Sequence, residues 1–388
     1  MVAQQETGQR SRAPHAVGLV AAGTTLIAAT YGLVRLAFGL HLPEMGADLG
    51  LDVATLGLIS AAASVMYGLA AFSGFLVGDR FPHALVIAAG LTAGGGSIGI
   101  ALAQSPGIFS ASAVVSSAGA GFASPALVRI IHRVAGVSRR ATMQSIVNAG
   151  TGPGLVAAGL IGWALAPDWR AAWIVAGGTT VIAAIAVLSL DRQSRSVTGS
   201  AIRMPSLTWW ASHRGALAAA VTFGFGAAAV WNYGRTVLVD AGASESLSLW
   251  AWVLLGLGGA AVIATAPLSR RLRPRSLWLI STLPAAMGTA VLGAFPGARV
   301  LAAAACLVFG WAYVTATGSL IEWTTQIDGA RAATGTAVLF VVFMVGQAVG
   351  AAVIGALLAD IGAAAAFGIA AALACAAASL GFERHRAR

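Results

Sequence analysis

Tyr31-Gly-Leu-Val-Arg35 sets one guanidinium in a stretch that carries no other charge from Val17 to Leu42. An arginine offers five N–H donors in a flat fork, a geometry that suits carboxylates and phosphates. Intramembrane charges usually face protein or water and mark a pathway. Two readings of Arg35 stay open: a hook for an anion, or an anchor whose long stem carries the charge out to lipid headgroups. A second Tyr-Gly pair followed by arginine, Tyr233-Gly-Arg235, closes a later apolar run. Arg235 also has two readings, a cavity charge or a loop residue.

Other polar side chains interrupt apolar runs: Tyr31, Tyr67, Gln144, Asn148, Asn232, Tyr233, Trp311, Tyr313 and Gln347. A polar group buried without a partner is costly, so each needs a neighbouring helix or a wet cavity. Gln144 and Asn148 are four residues apart and share a helix face. For any one of them, packing between helices and contact with a solute are equal options. His41, near the end of the first run, is a weak candidate for proton coupling. No carboxylate sits in the middle of any apolar run.

Bond-making chemistry has no foothold here. A membrane-embedded enzyme would need His, Asp, Glu and Ser gathered on neighbouring runs, and the sequence gathers none. Cys306 and Cys375 lie in apolar runs without a CxxC or Cys/His cluster, so no disulfide, metal or cofactor is expected. No GxxxxGK[ST] phosphate loop occurs either.

The elements that must position these residues follow from composition. Of 388 residues, 58% are hydrophobic and only 9% charged, against roughly 25% charged in a soluble domain. That leaves too little polar surface to coat a globule, so the solvent is lipid. Apolar runs long enough to span a bilayer, roughly 20 residues, fall at 17–41, 53–77, 84–103, 108–128, 141–165, 171–190, 214–234, 247–268, 277–294, 300–321, 334–358 and 364–382. They lack the period-two alternation of barrel strands. The expectation is an all-α polytopic membrane protein of twelve helices. The first run is too long for the core of a signal peptide and reads as a retained helix.

All 23 basic residues are arginines, and the net charge is +10. Nineteen fall in segments on the side of the N-terminus; Arg170 and Arg299 fall on the other; Arg35 and Arg235 lie in or near the membrane. This asymmetry predicts cytoplasmic termini and makes the charge a matter of topology, so no nucleic-acid partner is expected.

The chain also repeats itself. Val53–Arg80 aligns with Ser244–Arg271, and Arg139–Gly159 with Arg331–Ala351, at offsets of 191 and 192. Two parallel halves place a central site at their interface near the bilayer midplane. The expected organisation is a tail over 1–16, a six-helix bundle over 17–190, a cytoplasmic linker over 191–213, a second bundle over 214–382 and a tail over 383–388.

With six plus six helices and a central linker, the chain resembles the major facilitator superfamily along essentially its whole length. The segment Gly74-Phe-Leu-Val-Gly-Asp79-Arg80-Phe-Pro-His83 is similar to that family's Gly-x-x-x-Asp-Arg loop between helices 2 and 3. It departs in the glycine spacing and at Pro82 and His83. The resemblance implies that Asp79 latches near the N-terminus of helix 11, where a carboxylate gains about 0.3–1 kcal/mol, with Arg80 in the same gate. In the second-half echo, Arg270 stands where the first half has its acid. Asn148-Ala-Gly-Thr-Gly-Pro153-Gly154 is similar to the kinked helix 5 segment of the family's antiporters, with Pro153 as the kink. Helix 4 lacks the arginine that drug exporters carry ahead of Ser116-Ser-Ala-Gly-Ala-Gly121. Arg129 closes helix 4 and Glu322 closes helix 10; they are either a gate pair between halves or two solvated charges.

The spacing from Arg35 to Pro43 is similar to that in the cyanate-type branch and in uncharacterised bacterial branches. The family's organic-phosphate carriers use an arginine pair on helices 1 and 7. Helices 1, 4, 5, 7, 10 and 11 line the cavity in this family, and most of the polar residues above fall on them. The function implied is secondary transport of a small organic solute, with an anion as one option, by alternating access. The alternative is proton-coupled export of drugs or hydrophobic metabolites. The expected partners are a small-molecule solute, membrane lipid and, as an option, protons as coupling ion. The expected state is a monomer, multi-pass in a bacterial inner membrane.

Overall fold

A computed structural model describes residues 16–134, 139–191, 206–269 and 271–382. Within lipid, backbone N–H and C=O groups find partners only inside helices or closed barrels, and no strand occurs among the described residues. The membrane-length helices are α1 Ala16–Arg35, α2 Val53–Val77, α3 Pro82–Leu102, α4 Pro106–Val134, α5 Thr142–Leu165, α6 Trp169–Leu190, α7 Leu207–Asp240, α8 Glu245–Ser269, α9 Pro274–Ala294 and α10 Arg299–Ile327. A continuous helical stretch, Ala332–Ser379, follows, but Gly362 inside it has φ 78° and ψ 173°. Only glycine takes that conformation cheaply. It divides the stretch into α11, 332–361, and α12, 363–379, which brings the helices to twelve.

The helices form two bundles, α1–α6 and α7–α12. They meet where α2 packs on α11 and α5 on α8. Glycines allow the backbones to close in: a Cβ at Gly57 would lie 2.7 Å from the Ala351 oxygen, and one at Gly256 would lie 2.6 Å from the Val156 nitrogen. In lipid such approaches supply dispersion contacts where the hydrophobic effect gives little. Large apolar side chains such as Leu91, Ile182 and Ile263 are turned outward, the reverse of a soluble domain. We call the end that holds the helix termini nearest 192–205 the linker end, and the opposite one the far end.

Two expected boundaries shift. Helix α1 ends at Arg35 in a π-helical stretch, Ala28–Arg35, closed by Leu36 N–H donating to the Tyr31 carbonyl. Arg35 is therefore its last residue and not two turns inside it, because Pro43 opens a separate short helix, Leu42–Leu49. A Cβ at Gly32 would lie 2.5 Å from Gly154 Cα, so α1 and α5 pack backbone to backbone just before Arg35. Helix α7 begins at Leu207, where Ser206 accepts from the Trp209 N–H; residues 207–213 are helix and not linker, since that cap satisfies an otherwise orphaned amide. Residues 192–205 and Arg270 lie outside the described residues. Asp52 caps α2, and the Thr55 backbone N–H and hydroxyl hold its carboxyl below the usual range.

Candidate functional site

The Arg35 guanidinium reaches across the interface between bundles. Nη1 donates to Ser117 Oγ of α4 at 2.8 Å, and Nη2 to Met344 Sδ at 2.8 Å and Gln347 Oε1 at 3.0 Å, both on α11. The Tyr67 ring of α2 lies 4.2 Å from its central carbon. The anchor reading fails on this geometry, because every group that Arg35 meets belongs to the protein interior. All those acceptors are neutral. Desolvating an arginine near the bilayer centre costs about 3 kcal/mol on insertion scales, and neutral acceptors satisfy its donors without cancelling its charge.

The guanidinium borders a cavity of about 40 Å³ at the bundle interface, lined also by Ser60, Ser64, Ser116, Trp231, Asn232 and Gln347. A second ring of polar groups supports it. Tyr31 and Tyr67 share a hydrogen bond between their hydroxyls at 2.7 Å. Gln347 Nε2 approaches the Tyr313 hydroxyl at 3.4 Å, and the Tyr313 ring packs on Trp231 with centroids 5.0 Å apart. Small hydroxyls, two amides and one uncompensated cation make a pocket that can accept a negative group and donate to its oxygens.

The residues expected from sequence divide into those that gather here and those that do not. Arg35, Asn232 and Gln347 line the cavity, with Tyr31 and Tyr313 behind them. Trp311 donates to Thr265 Oγ1 at 3.0 Å and ties α10 to α8. The Tyr233 hydroxyl donates to the Ala351 carbonyl beneath Gly57 and Gly355, a clasp between α7 and α11. Gln144 and Asn148 share a face as expected, and Gln144 Nε2 donates to Asn148 Oδ1 at 3.1 Å; neither borders the cavity. Sequence reasoning missed Ser117 and Met344. The pair Ser116-Ser117 was in view on helix 4, but only as the place where an arginine was lacking.

The gates also differ from expectation. Asp79 pairs with Arg129 inside the first bundle. That interaction takes the place of the Arg129–Glu322 pair, because Asp79 offers Arg129 a nearer carboxylate. Glu322 is exposed, with no ion-pair partner among the described residues. Arg80 is exposed and lies over the Phe81 ring at 5.2 Å. Asp191 binds Arg133 and His83, again within the first bundle. Helix α5 breaks at Ala149–Gly150, between Arg140–Asn148 and Thr151–Leu165. Pro153, which lacks an N–H, stands just past the break, as a helix-breaking residue should.

At the far end the arrangement inverts. Arg235 of α7 is 1% exposed. It donates to Ser248 Oγ of α8 and, across the bundle interface, to the Leu40 carbonyl and the Glu44 carboxylate. Asp48 binds Arg170, which also donates to the Ala101 and Ala103 carbonyls. The far end is thus clamped between bundles, while the named ion pairs of the linker end stay inside one.

Two six-helix bundles that meet at a charged polar pocket make the architecture of a polytopic membrane protein. The chain belongs to the major facilitator superfamily, whose family model matches residues 20–346. Solved structures agree on the fold. A POT family transporter in complex with 5-aminolevulinic acid superposes with a TM-score of 0.76 at 10% identity, covering 94% of each chain. The nucleoside transporter NupG gives 0.73 at 13% identity, covering 94% of this chain and 98% of its own. A bacterial homolog of the human lysosomal transporter Spinster, inward-facing and occupied, gives 0.73 at 16% identity over 95% of each. No curated protein matches the chain. The protein is a multi-pass membrane transporter of this superfamily, a family and fold that are in general not enzymatic.

Proposed function

We propose that the protein is a secondary transporter of a small organic anion, with Arg35 as the residue that binds its negative group. The observation that carries this reading is the Arg35 guanidinium, held at the bundle interface by Ser117, Met344 and Gln347 with no carboxylate partner among the described residues. A buried charge satisfied only by neutral acceptors gains most from a ligand of opposite sign. Ser60, Ser64, Ser116 and Asn232 supply the remaining polar contacts, and Phe38 and Trp231 the apolar walls. Because Arg35 sits on one bundle and Gln347 on the other, an anion between them couples binding to the rocking of the halves. The excess of arginine at the linker end supports placing that end in the cytoplasm of a bacterial inner membrane. In that orientation the clamp of Arg235 on Glu44 closes the outside. The lining carries no carboxylate to hold a coupling proton, which favours anion transport over proton-linked export of hydrophobic compounds.

Uptake into proteoliposomes tests the reading directly. A panel of labelled monocarboxylates, phosphate esters and cationic dyes is offered to the wild type and to Arg35→Gln. Anion uptake that disappears in the variant is the expected result. Dye movement that is indifferent to Arg35 would sink the proposal.

A further inference from the structure

Charge, room and free hydrogen-bonding groups narrow which anion the central pocket fits. Arg35 brings one guanidinium, and its partners Ser117, Met344 and Gln347 are all neutral. Arg235, the other arginine at the bundle interface, is committed to Glu44 and the Leu40 carbonyl and does not line the cavity. Among the described residues no acid lines it either. The pocket therefore offers a single positive charge. A monoanion brings it to neutrality. A dianion would leave one negative charge buried without a partner, which is costly.

Room is short as well. A cavity of about 40 Å³ holds roughly three waters, and Leu36, Phe38, Ala113 and Trp231 wall it with apolar surface. A short acid suits that space, and a sugar phosphate does not.

Two side chains of the lining have hydrogen-bonding capacity to spare. Asn232 Nδ2 donates to the Ala228 carbonyl one turn back on α7, at 2.8 Å. That bond identifies the amide's other end as the oxygen, and Oδ1 meets no donor among the described residues. Ser64 of α2 is 7% exposed, and its hydroxyl has no partner among the described residues. Besides the arginine fork, the pocket thus presents an acceptor in need of a donor and a hydroxyl free to donate. A ligand ammonium could serve the acceptor, but it would set a second cation beside Arg35 with no acid to balance it. A ligand hydroxyl serves it without charge.

We propose that the solute is a short hydroxy monocarboxylate, of the size of glycolate or lactate; this rests on the reading of Arg35 as the anion-binding residue. The carboxylate takes the Arg35 fork and the Ser64 hydroxyl, and the solute's own hydroxyl donates to Asn232 Oδ1. The first bundle then reads the charge and the second reads the hydroxyl, so an acid with both groups engages both bundles.

The experiment measures tracer uptake by the full chain in proteoliposomes at neutral pH, with uptake by protein-free liposomes subtracted. Lactate, propionate, 2-fluoropropionate, alanine, malate and sn-glycerol 3-phosphate are compared in the wild type, Arg35→Gln and Asn232→Leu. Lactate should be taken up in an Arg35-dependent way. Propionate and 2-fluoropropionate lack the donating hydroxyl and should show kcat/KM about tenfold lower. Alanine and the two dianions should stay near background. In Asn232→Leu the ratio of lactate to 2-fluoropropionate uptake should collapse toward one, a change that a general loss of folded protein cannot produce. Should that variant fail to insert, the wild type alone decides: lactate no better than 2-fluoropropionate overturns the proposal. Arg35-dependent uptake of malate or sn-glycerol 3-phosphate in preference to lactate overturns it too, and leaves the anion reading standing. Uptake of no anion in an Arg35-dependent way overturns both.

Discussion

Arg35 and Arg235 occupy the ends of repeat-related helices, α1 and α7, and both reach from one bundle to the other. Their partners differ. Arg235 is buried to 1% exposure and meets a carboxylate, a backbone carbonyl and a serine. Arg35 meets a serine, a thioether and an amide. Both guanidinium groups are satisfied as donors, but only Arg235 is neutralised as a charge. The lesson is that a hydrogen-bond inventory separates a clamp from a binding site less well than a charge inventory does. A neutralised arginine fastens the far end; an unneutralised one is, on the function proposed above, the group that binds the anion.

The sharpest way to break that contrast is at Arg35. Arg35→Gln keeps polar contacts with Ser117 and Gln347 in reach but removes the charge, and anion transport should fall by roughly a hundredfold or more. Arg35→Lys restores the charge without the fork, and should recover part of the rate with a raised KM. Equal activity of the Gln and Lys variants in tracer uptake would mean that charge is not what the site supplies.

Arg235→Gln should act on stability. It leaves Glu44 at the bundle interface without its cation, and breaking such a buried pair costs roughly 3 kcal/mol. The thermal midpoint should drop by roughly 5 °C or more. Replacing both partners, Arg235→Leu with Glu44→Leu, should cost less than either single change, since no charge is stranded. A double variant less stable than each single one would refute the clamp.

These expectations rest on contacts of unequal legibility. Arg35 stands out as the lone charge in an apolar run, and the separate spans 334–358 and 364–382 leave the gap in which Gly362 falls. The family resemblance likewise rested on span count and repeat spacing, which survive when individual contacts change. Partners across the bundle interface were not readable. Glu44 lies 191 residues before Arg235, and which face of α11 meets α1 depends on helix rotations that no local pattern fixes. Arg129 could have paired with Glu322 or with Asp79 on charge alone; proximity in the fold chose Asp79. The end of α1 was misplaced because the apolar run continues past Arg35 and hides the π-helical stretch, in which Gly32 packs on Gly154.

Gln347 probes the binding side of the comparison more finely. Gln347→Leu takes the oxygen acceptor from Arg35 Nη2 and the amide donor from Tyr313. A hydrogen bond to a charged group is worth about 1.5–3 kcal/mol, so KM should rise about tenfold with kcat little changed. A fall in KM would show instead that the amide competes with the solute for the guanidinium.

Met344→Leu asks the smallest question. The two side chains have nearly the same volume, and such swaps cost little in packing. What changes is the sulfur, a weak acceptor set 2.8 Å from Arg35 Nη2. Since Gln347 already accepts from the same nitrogen, KM for the anion should move by less than about threefold. If the leucine variant instead matches Gln347→Leu, the thioether is holding the guanidinium in place. Arg35 would then owe its position to α11 as a whole, and the site would assemble only when the two bundles are closed upon each other.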